Sequence, residues 1–324
     1  MNKIIQTIVK TLSISALLLS SCIKEDMSNC PEQIRVYFDI ETRTSEGDAI
    51  NPDDVDRMNL YVFSHKGYYL GEYRDEYIPD FGPEYYIDCS DLLPGKYSFI
   101  AWGGKDERCY SATPAPFVKG ETTFGEALLM LEHPNETVSG NIHHLFHSDL
   151  AATVTNQKVQ RFDMPLIQQT NTINIHTVGL PADDDVYIFN IADNNCTYQF
   201  DRSFATFGEK SGHGYFKYVA PCAKDETSQL HSTLNVMRLS AERHTPQLQI
   251  FNETAGTVLY PTGIQSGDLI GLIQSADPDN DFDLIHTYDI VLEFKKGSGE
   301  ANLTVTIFVN GWEIRDQNSE LIVN

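Results

Sequence analysis

Short segments in which apolar and polar residues alternate recur along this chain of 324 residues, and they constrain its fold more than any other feature. Between Ile34 and Ile40 every second residue is isoleucine, valine or phenylalanine, which is the pattern of a strand with one buried face. The chain is also rich in tyrosine and phenylalanine, which favour strands. Further segments of this kind are Met58–Phe63, Lys96–Trp102 and Thr172–Val178. The sequence therefore predicts an all-β fold.

Turn residues divide these strands into two groups. Pro94-Gly95 has the composition of a tight turn, and the strand spacing restarts near residues 150–163. We expect an N-terminal β-sandwich over residues 33–155 and a C-terminal one over 156–324, each with two sheets of short antiparallel strands. Leu128–Leu131 fits either a helical turn or a buried strand, and no exact internal repeat is present.

The first residues have the layout of an export signal. Lys3 and Lys10 precede a largely apolar run that ends in Leu19-Ser20-Ser21-Cys22. The pattern resembles a bacterial lipoprotein signal, which is cut before a cysteine that then carries diacylglycerol and an acylated amine. This predicts a signal peptide over residues 1–21, lipid attachment at Cys22 and a lipidated stalk over 22–32.

Three charged residues follow the proposed lipid site. Lys24, Glu25 and Asp26 resemble the lysine and two acids that mark surface-exposed lipoproteins of Bacteroidetes. We therefore expect a lipid-anchored protein of the outer membrane that faces the outside of the cell. The formal net charge of −23 disfavours binding to nucleic acid.

The six cysteines leave several pairings open. If Cys22 carries lipid, five remain, so at least one cannot pair within the chain. Cys196 and Cys222 are the favoured disulfide because both fall in the predicted C-terminal sandwich. The cysteine spacings fit no zinc motif.

Three other groups of residues could bind a ligand. His143 and His147 would share one face of a helix, but a loop is favoured over a metal site. The acids in Asp277–Asp283 alternate as in a calcium loop, although the glycine and glutamate of an EF-hand are missing. Trp102 and Trp312 could stack on sugars, yet core or edge positions are favoured.

Signatures of the common hydrolases, metalloproteases and nucleotide-binding proteins do not occur in the sequence. We predict that the protein is not an enzyme and uses neither a metal nor a cofactor.

Several short motifs occur in a specific order along nearly the whole chain. They are Cys22, Cys30-Pro31, Pro94–Tyr97, Ala101–Gly104, Leu145–His147 and Val309–Trp312. Together they resemble the FimB/Mfa2 family of fimbrial anchor lipoproteins of Bacteroidales. That resemblance implies two tandem transthyretin-like (Greek-key) β-sandwich domains. It also implies an outer-membrane base for a pilus, which attaches the fibre and limits its length.

Fimbrial subunits can associate by strand addition, in which a sheet edge accepts a strand from a neighbour. We expect the strands Leu303–Val309 and Trp312–Val323 to engage a shaft or minor pilin subunit, because they lie at a free chain end. The alternative function is a surface adhesin or fimbrial tip subunit that binds glycan or host protein.

Overall fold

The computed structural model describes residues 33–40, 51–180, 185–205, 215–224, 229–241, 246–261, 265–296 and 303–314. These residues form 21 strands and one α-helix, so the predicted all-β fold is confirmed. Short 3-10 turns occur at Pro52–Asp54, Phe124–Glu126 and Pro134–Glu136.

The strands are numbered in chain order, and the helix α1 (Leu269–Ala276) lies between β18 and β19. The first ten are β1 (Gln33–Ile40), β2 (Met58–Ser64), β3 (Tyr69–Asp75), β4 (Tyr86–Asp88), β5 (Gly95–Gly103), β6 (Tyr110–Thr113), β7 (Leu128–Leu131), β8 (Thr137–Ser139), β9 (Phe146–Val154) and β10 (Val159–Gln168). The others are β11 (Thr170–Val178), β12 (Tyr187–Asp193), β13 (Thr197–Gln199), β14 (Phe216–Pro221), β15 (Ala223–Lys224), β16 (Leu230–Met237), β17 (Gln247–Asn252), β18 (Thr257–Tyr260), β19 (Thr287–Lys296), β20 (Leu303–Val309) and β21 (Trp312–Ile314).

The first seven-stranded unit has the order β3-β2-β5-β9-β10-β1-β4. Strands β9 and β10 share only two registered pairs, Ile167 with His147 and Gln168 with Phe146. The layer β4-β1-β10 and the layer β3-β2-β5-β9 are therefore joined at one corner. Apolar residues of both layers, among them Val36 and Leu60, form a single buried cluster, as in a sandwich.

The second unit repeats this arrangement strand for strand. Its layers are β16-β11-β19 and β14-β12-β17-β18, which correspond in order to β4-β1-β10 and β3-β2-β5-β9. Corresponding strands also pair in the same directions. In each unit the first strand runs parallel to the last of the seven, β1 to β10 and β11 to β19. The structure thus contains a repeat that the sequence does not reveal, and it is consistent with the predicted tandem sandwiches.

Two details of the sequence prediction are corrected. The sheets are not purely antiparallel, because β1 runs parallel to β10 and β11 parallel to β19. The boundary at residues 155 and 156 is also misplaced, since β10 pairs with β1 over eight residues and belongs to the first unit. Alternation shows which face of a strand is buried, but it does not identify the neighbouring strand.

The segment between β5 and β9 connects the two units. Its strands β6 and β7 form a three-stranded sheet with β13 from the second half of the chain, and β8 adds a parallel strand to β14. The sequence fitted either a helical turn or a buried strand at Leu128–Leu131, and the structure shows a strand. The larger buried cluster contains Tyr61 and Trp102 from the first unit together with Tyr198 and Phe200, so the two halves share one core.

Helix α1 has eight residues, of which Leu269, Ile270, Leu272 and Ile273 are buried. Within the described ranges, no helix has the length and apolar character needed to cross a membrane.

Candidate docking edge

The C-terminal hairpin extends the second unit beyond the repeated seven strands. Strand β20 pairs with β19, and β21 pairs with β20 through the two-residue turn Asn310-Gly311. Both turn residues have positive φ, 49° and 82°, as in the type I′ turn for which Asn-Gly is the preferred sequence. The asparagine side chain also accepts a hydrogen bond from the backbone N–H of Asp289 at 2.9 Å. The hairpin is therefore held to its neighbour and fixed in register.

The outer edge of β21 is the end of its sheet. In a two-residue hairpin, the residues that flank the turn exchange both hydrogen bonds, so Val309 pairs with Trp312 in this way. Glu313 then directs its backbone N–H and C=O away from β20. Among the described residues no strand pairs with this edge.

A cavity with both apolar and polar walls lies beside the edge. Its volume is about 310 Å³, and it is bounded by α1, the segment after it and the hairpin. Trp312 lines the cavity and is 68% exposed. An added strand needs backbone partners for affinity and pockets for its side chains, and this edge offers both. The sequence did not predict α1, although Leu269, Leu272, Ile273 and Ala276 have the i, i+3, i+4, i+7 spacing of one helical face.

Strand β10 of the first unit pairs with β1 on one side. Unlike the edge of β21, its other side is protected against pairing with a strand from another chain. Arg161, Asp163 and Pro165 on this strand are exposed. Charged residues and proline on an edge oppose pairing with another chain, and proline also lacks the N–H that a partner strand would use. Strand β21 has one exposed charge, Glu313, and no proline, and its other two residues, Trp312 and Ile314, are apolar. These differences make β21 the better docking edge of the two.

Several predicted residues lie outside the described residues. They are the signal peptide, Cys22, the stalk over 22–32 with Lys24, Glu25 and Asp26, and the end of the predicted last strand beyond Ile314.

The structure separates the two histidines that were considered as metal ligands. His143 lies 3.1 Å from the carboxylate of Asp106. His147 is buried in the core against Trp102, with ring centroids 4.6 Å apart, and its Nε2–H donates to the carbonyl oxygen of Phe200 at 2.8 Å. Throughout the described parts of the chain, no three His, Cys, Asp or Glu side chains are grouped to hold a metal ion.

Burial of His147 predicts a dependence of stability on pH. Desolvation lowers the pKa of its imidazole to about 4, and Nδ1 has no hydrogen-bond partner. From pH 6.5 down to 4 the unfolded chain binds a proton that the folded protein does not, so the free energy of unfolding should fall by about 3 kcal/mol. The free energy of unfolding, measured with denaturant at several pH values across this range, should fall less steeply with decreasing pH for His147→Gln than for the unsubstituted protein. An unchanged slope would contradict this assignment. Burial also lowers the pKa of His144, so some dependence should remain.

The other candidate sites are structural. Asp277 and Asp281 accept hydrogen bonds from nearby backbone N–H groups, and Asp283 pairs with Arg238. Trp102 is fully buried, whereas Trp312 lies on the edge strand. The core and edge positions favoured by the sequence are therefore those observed.

The predicted disulfide is absent, because Cys196 and Cys222 are free thiols. Cys222 follows Pro221, which pairs with Ile188 near the start of β12, while Cys196 comes after the end of that strand at Asp193. Those ends are separated by about 17 Å of extended chain. A disulfide needs Cα atoms within about 7 Å of each other, so this fold does not join the pair.

Comparisons with known proteins agree with this architecture. The model of the family described as fimbrillin-A associated anchor proteins Mfa1 and Mfa2 matches residues 27–318. No curated protein sequence matches the chain. The fimbrial anchor protein Mfa2 from Porphyromonas gingivalis has a similar structure, with 22% identity, a TM-score of 0.69, and coverage of 88% of this chain and 99% of that chain.

Two further structures share the fold. A candidate adhesin from Bacteroides ovatus is 19% identical, has a TM-score of 0.69, and covers 87% of this chain and 94% of its own. A candidate polysaccharide-binding protein from Bacteroides thetaiotaomicron is 22% identical and has a TM-score of 0.66. The match covers 89% of this chain and 99% of that protein's chain.

Proposed function

The chain belongs to the family of fimbrillin-A-associated anchor proteins, and on that premise we propose that it holds a fimbrial fibre on the outer membrane. Lipid on Cys22 attaches the protein to the membrane, and the stalk over 22–32 leads from the lipid to the first strand. The sandwiches face the outside of the cell, as Lys24, Glu25 and Asp26 suggest. A shaft or minor pilin subunit docks by strand addition, and the occupied base limits fibre length.

The observation that carries this proposal is the edge of β21, which no strand of the described residues covers, beside a cavity lined in part by Ile273, Val309 and Trp312. Strand addition gains affinity from main-chain hydrogen bonds and specificity from side-chain pockets. The hairpin lies outside the seven strands that both units share, so it is available for assembly without opening either sandwich. Lipid at the first mature residue favours the base of the fibre over its tip.

Deleting residues 311–324 should abolish docking while leaving β20 in place. Pilin subunits recovered with the tagged protein from outer membranes should fall at least tenfold. A finer variant is Glu313→Pro, which removes the outward N–H, with Glu313→Ala as its matched control. We expect loss of pilin for the proline variant and normal recovery for the alanine variant. Normally anchored fimbriae on cells that carry the deletion would contradict the proposal.

A further inference from the structure

A second cavity, of about 460 Å³, lies on the first unit far along the sequence from the docking hairpin. It is formed by β2, β3, the turn after β5, and the segment from β6 to Phe117. A smaller cavity of about 300 Å³ adjoins it and shares Arg74, Lys105 and Glu107. Volumes of this size are typical of small-ligand sites.

Lys105 is the unusual residue of this cavity. Its side chain lines both cavities and is 4% exposed, yet the ammonium has neither a hydrogen bond nor an ion pair among the described residues. Most of the side chain is buried, and the ammonium meets solvent in the cavity, where an oxygen supplied by a ligand could accept its hydrogen bonds. Tyr61, which is 2% exposed and lines the larger cavity, likewise has no bonded partner for its hydroxyl among those residues.

The backbone before Lys105 is tightly packed. Gly104 has φ of 67°, and a Cβ at this position would lie 2.1 Å from the carbonyl oxygen of His144. Asp106, the residue after Lys105, is also held in place, because its carboxylate accepts a hydrogen bond from Arg108 at 2.6 Å and contacts His143 at 3.1 Å. Lys105 is therefore held at the cavity by the fold.

The formal charges of the side chains that line the larger cavity sum to zero. Lys105 and Arg74 are cationic, and Glu72 and Glu107 are anionic. Arg74 pairs with Glu72 at 3.2 Å and with Glu107 at 2.9 Å, and Glu107 is 67% exposed at the rim. The remaining wall is aromatic and proline-rich, and Phe117 packs on Tyr61 and Tyr69.

We propose that this cavity binds a neutral sugar residue of a glycan. Sugar hydroxyls both donate and accept hydrogen bonds, which suits the ammonium, the tyrosine hydroxyl and the two carboxylates. The apolar C–H face of a sugar ring suits the aromatic and proline wall. A neutral ligand also avoids repulsion by a protein whose formal net charge is −23.

An array of neutral and acidic glycans tests this site. The full chain would be purified in a detergent without a sugar headgroup and compared with Lys105→Met and Tyr61→Phe. Lys96→Met is the matched control, because Lys96 is an exposed lysine at the opposite end of β5. Melting curves would show that each variant is folded, and Lys105→Met should fold because it removes only a buried charge.

We expect binding to a subset of neutral glycans, competed by the free saccharide. Binding should weaken at least tenfold in Lys105→Met, weaken in Tyr61→Phe and stay unchanged in Lys96→Met. Absence of binding to every glycan, binding to acidic glycans alone, or undiminished binding by Lys105→Met would overturn the proposal. Pilin recovery should be normal in all four proteins, which separates this site from the docking edge.

Discussion

Replacing Cys22 with alanine should release fimbriae from cells into the medium, with a loss of cell-bound fibre of at least tenfold. The acyl chains contribute about 0.8 kcal/mol for each buried methylene group, and two or more chains together give stable attachment. Without the thiol no diacylglycerol can be attached, and within the described residues no helix could replace it as an anchor. Electron microscopy of cells and immunoblots of medium would measure the release.

Cys30→Ala is the matched control for this experiment. Cys30 lies eight positions after Cys22 and does not follow the Leu-Ser-Ser motif, so its replacement should leave fibres on the cell. Fibres that stay attached to Cys22→Ala cells would contradict lipid anchoring at this residue.

Replacing Trp102 with alanine should lower the free energy of unfolding by about 3–5 kcal/mol, because it opens a cavity in a packed core. Trp102 is fully buried on β5. Its ring centroid lies 6.2 Å from those of Tyr198 and Phe200, which come from the second half of the chain. The substitution therefore weakens the core that the two units share. Urea unfolding would measure the change.

Trp312→Ala provides the comparison with a tryptophan on the surface. With 68% of this residue exposed, the free energy of unfolding should change by no more than about 0.5 kcal/mol, whereas pilin recovery should fall. A cost below about 1 kcal/mol for Trp102→Ala would contradict the shared core.

Local patterns predicted individual elements well. The alternation at Ile34–Ile40 identified β1, and Ser64–Gly67 has the composition of the hairpin connection that it forms between β2 and β3, with Gly67 at φ of 80°. These features depend on the period of two and on turn chemistry, both of which act over a few residues.

Long-range features could not be predicted in the same way. Strand β1 pairs with β10 across more than a hundred intervening residues. The alternation of apolar and polar residues in β1 does not indicate which strand lies beside it. The helix α1 was missed because it is short and contains Gly271, which lowers helix propensity. The larger cavity, which Lys105 lines, is formed by β2, β3, the turn after β5 and the segment from β6 to Phe117, so no local pattern marks it.

Hydrogen exchange of the membrane-extracted complex with its pilin tests the docking edge most directly. In the protein alone, the outward N–H of Glu313 should exchange rapidly, because no strand within the described residues pairs with it. In the complex, this amide should become strongly protected, while exposed amides on the free side of β10 should not change. Unchanged exchange at Trp312–Ile314, with new protection on β10 or another edge, would contradict docking by strand addition at β21.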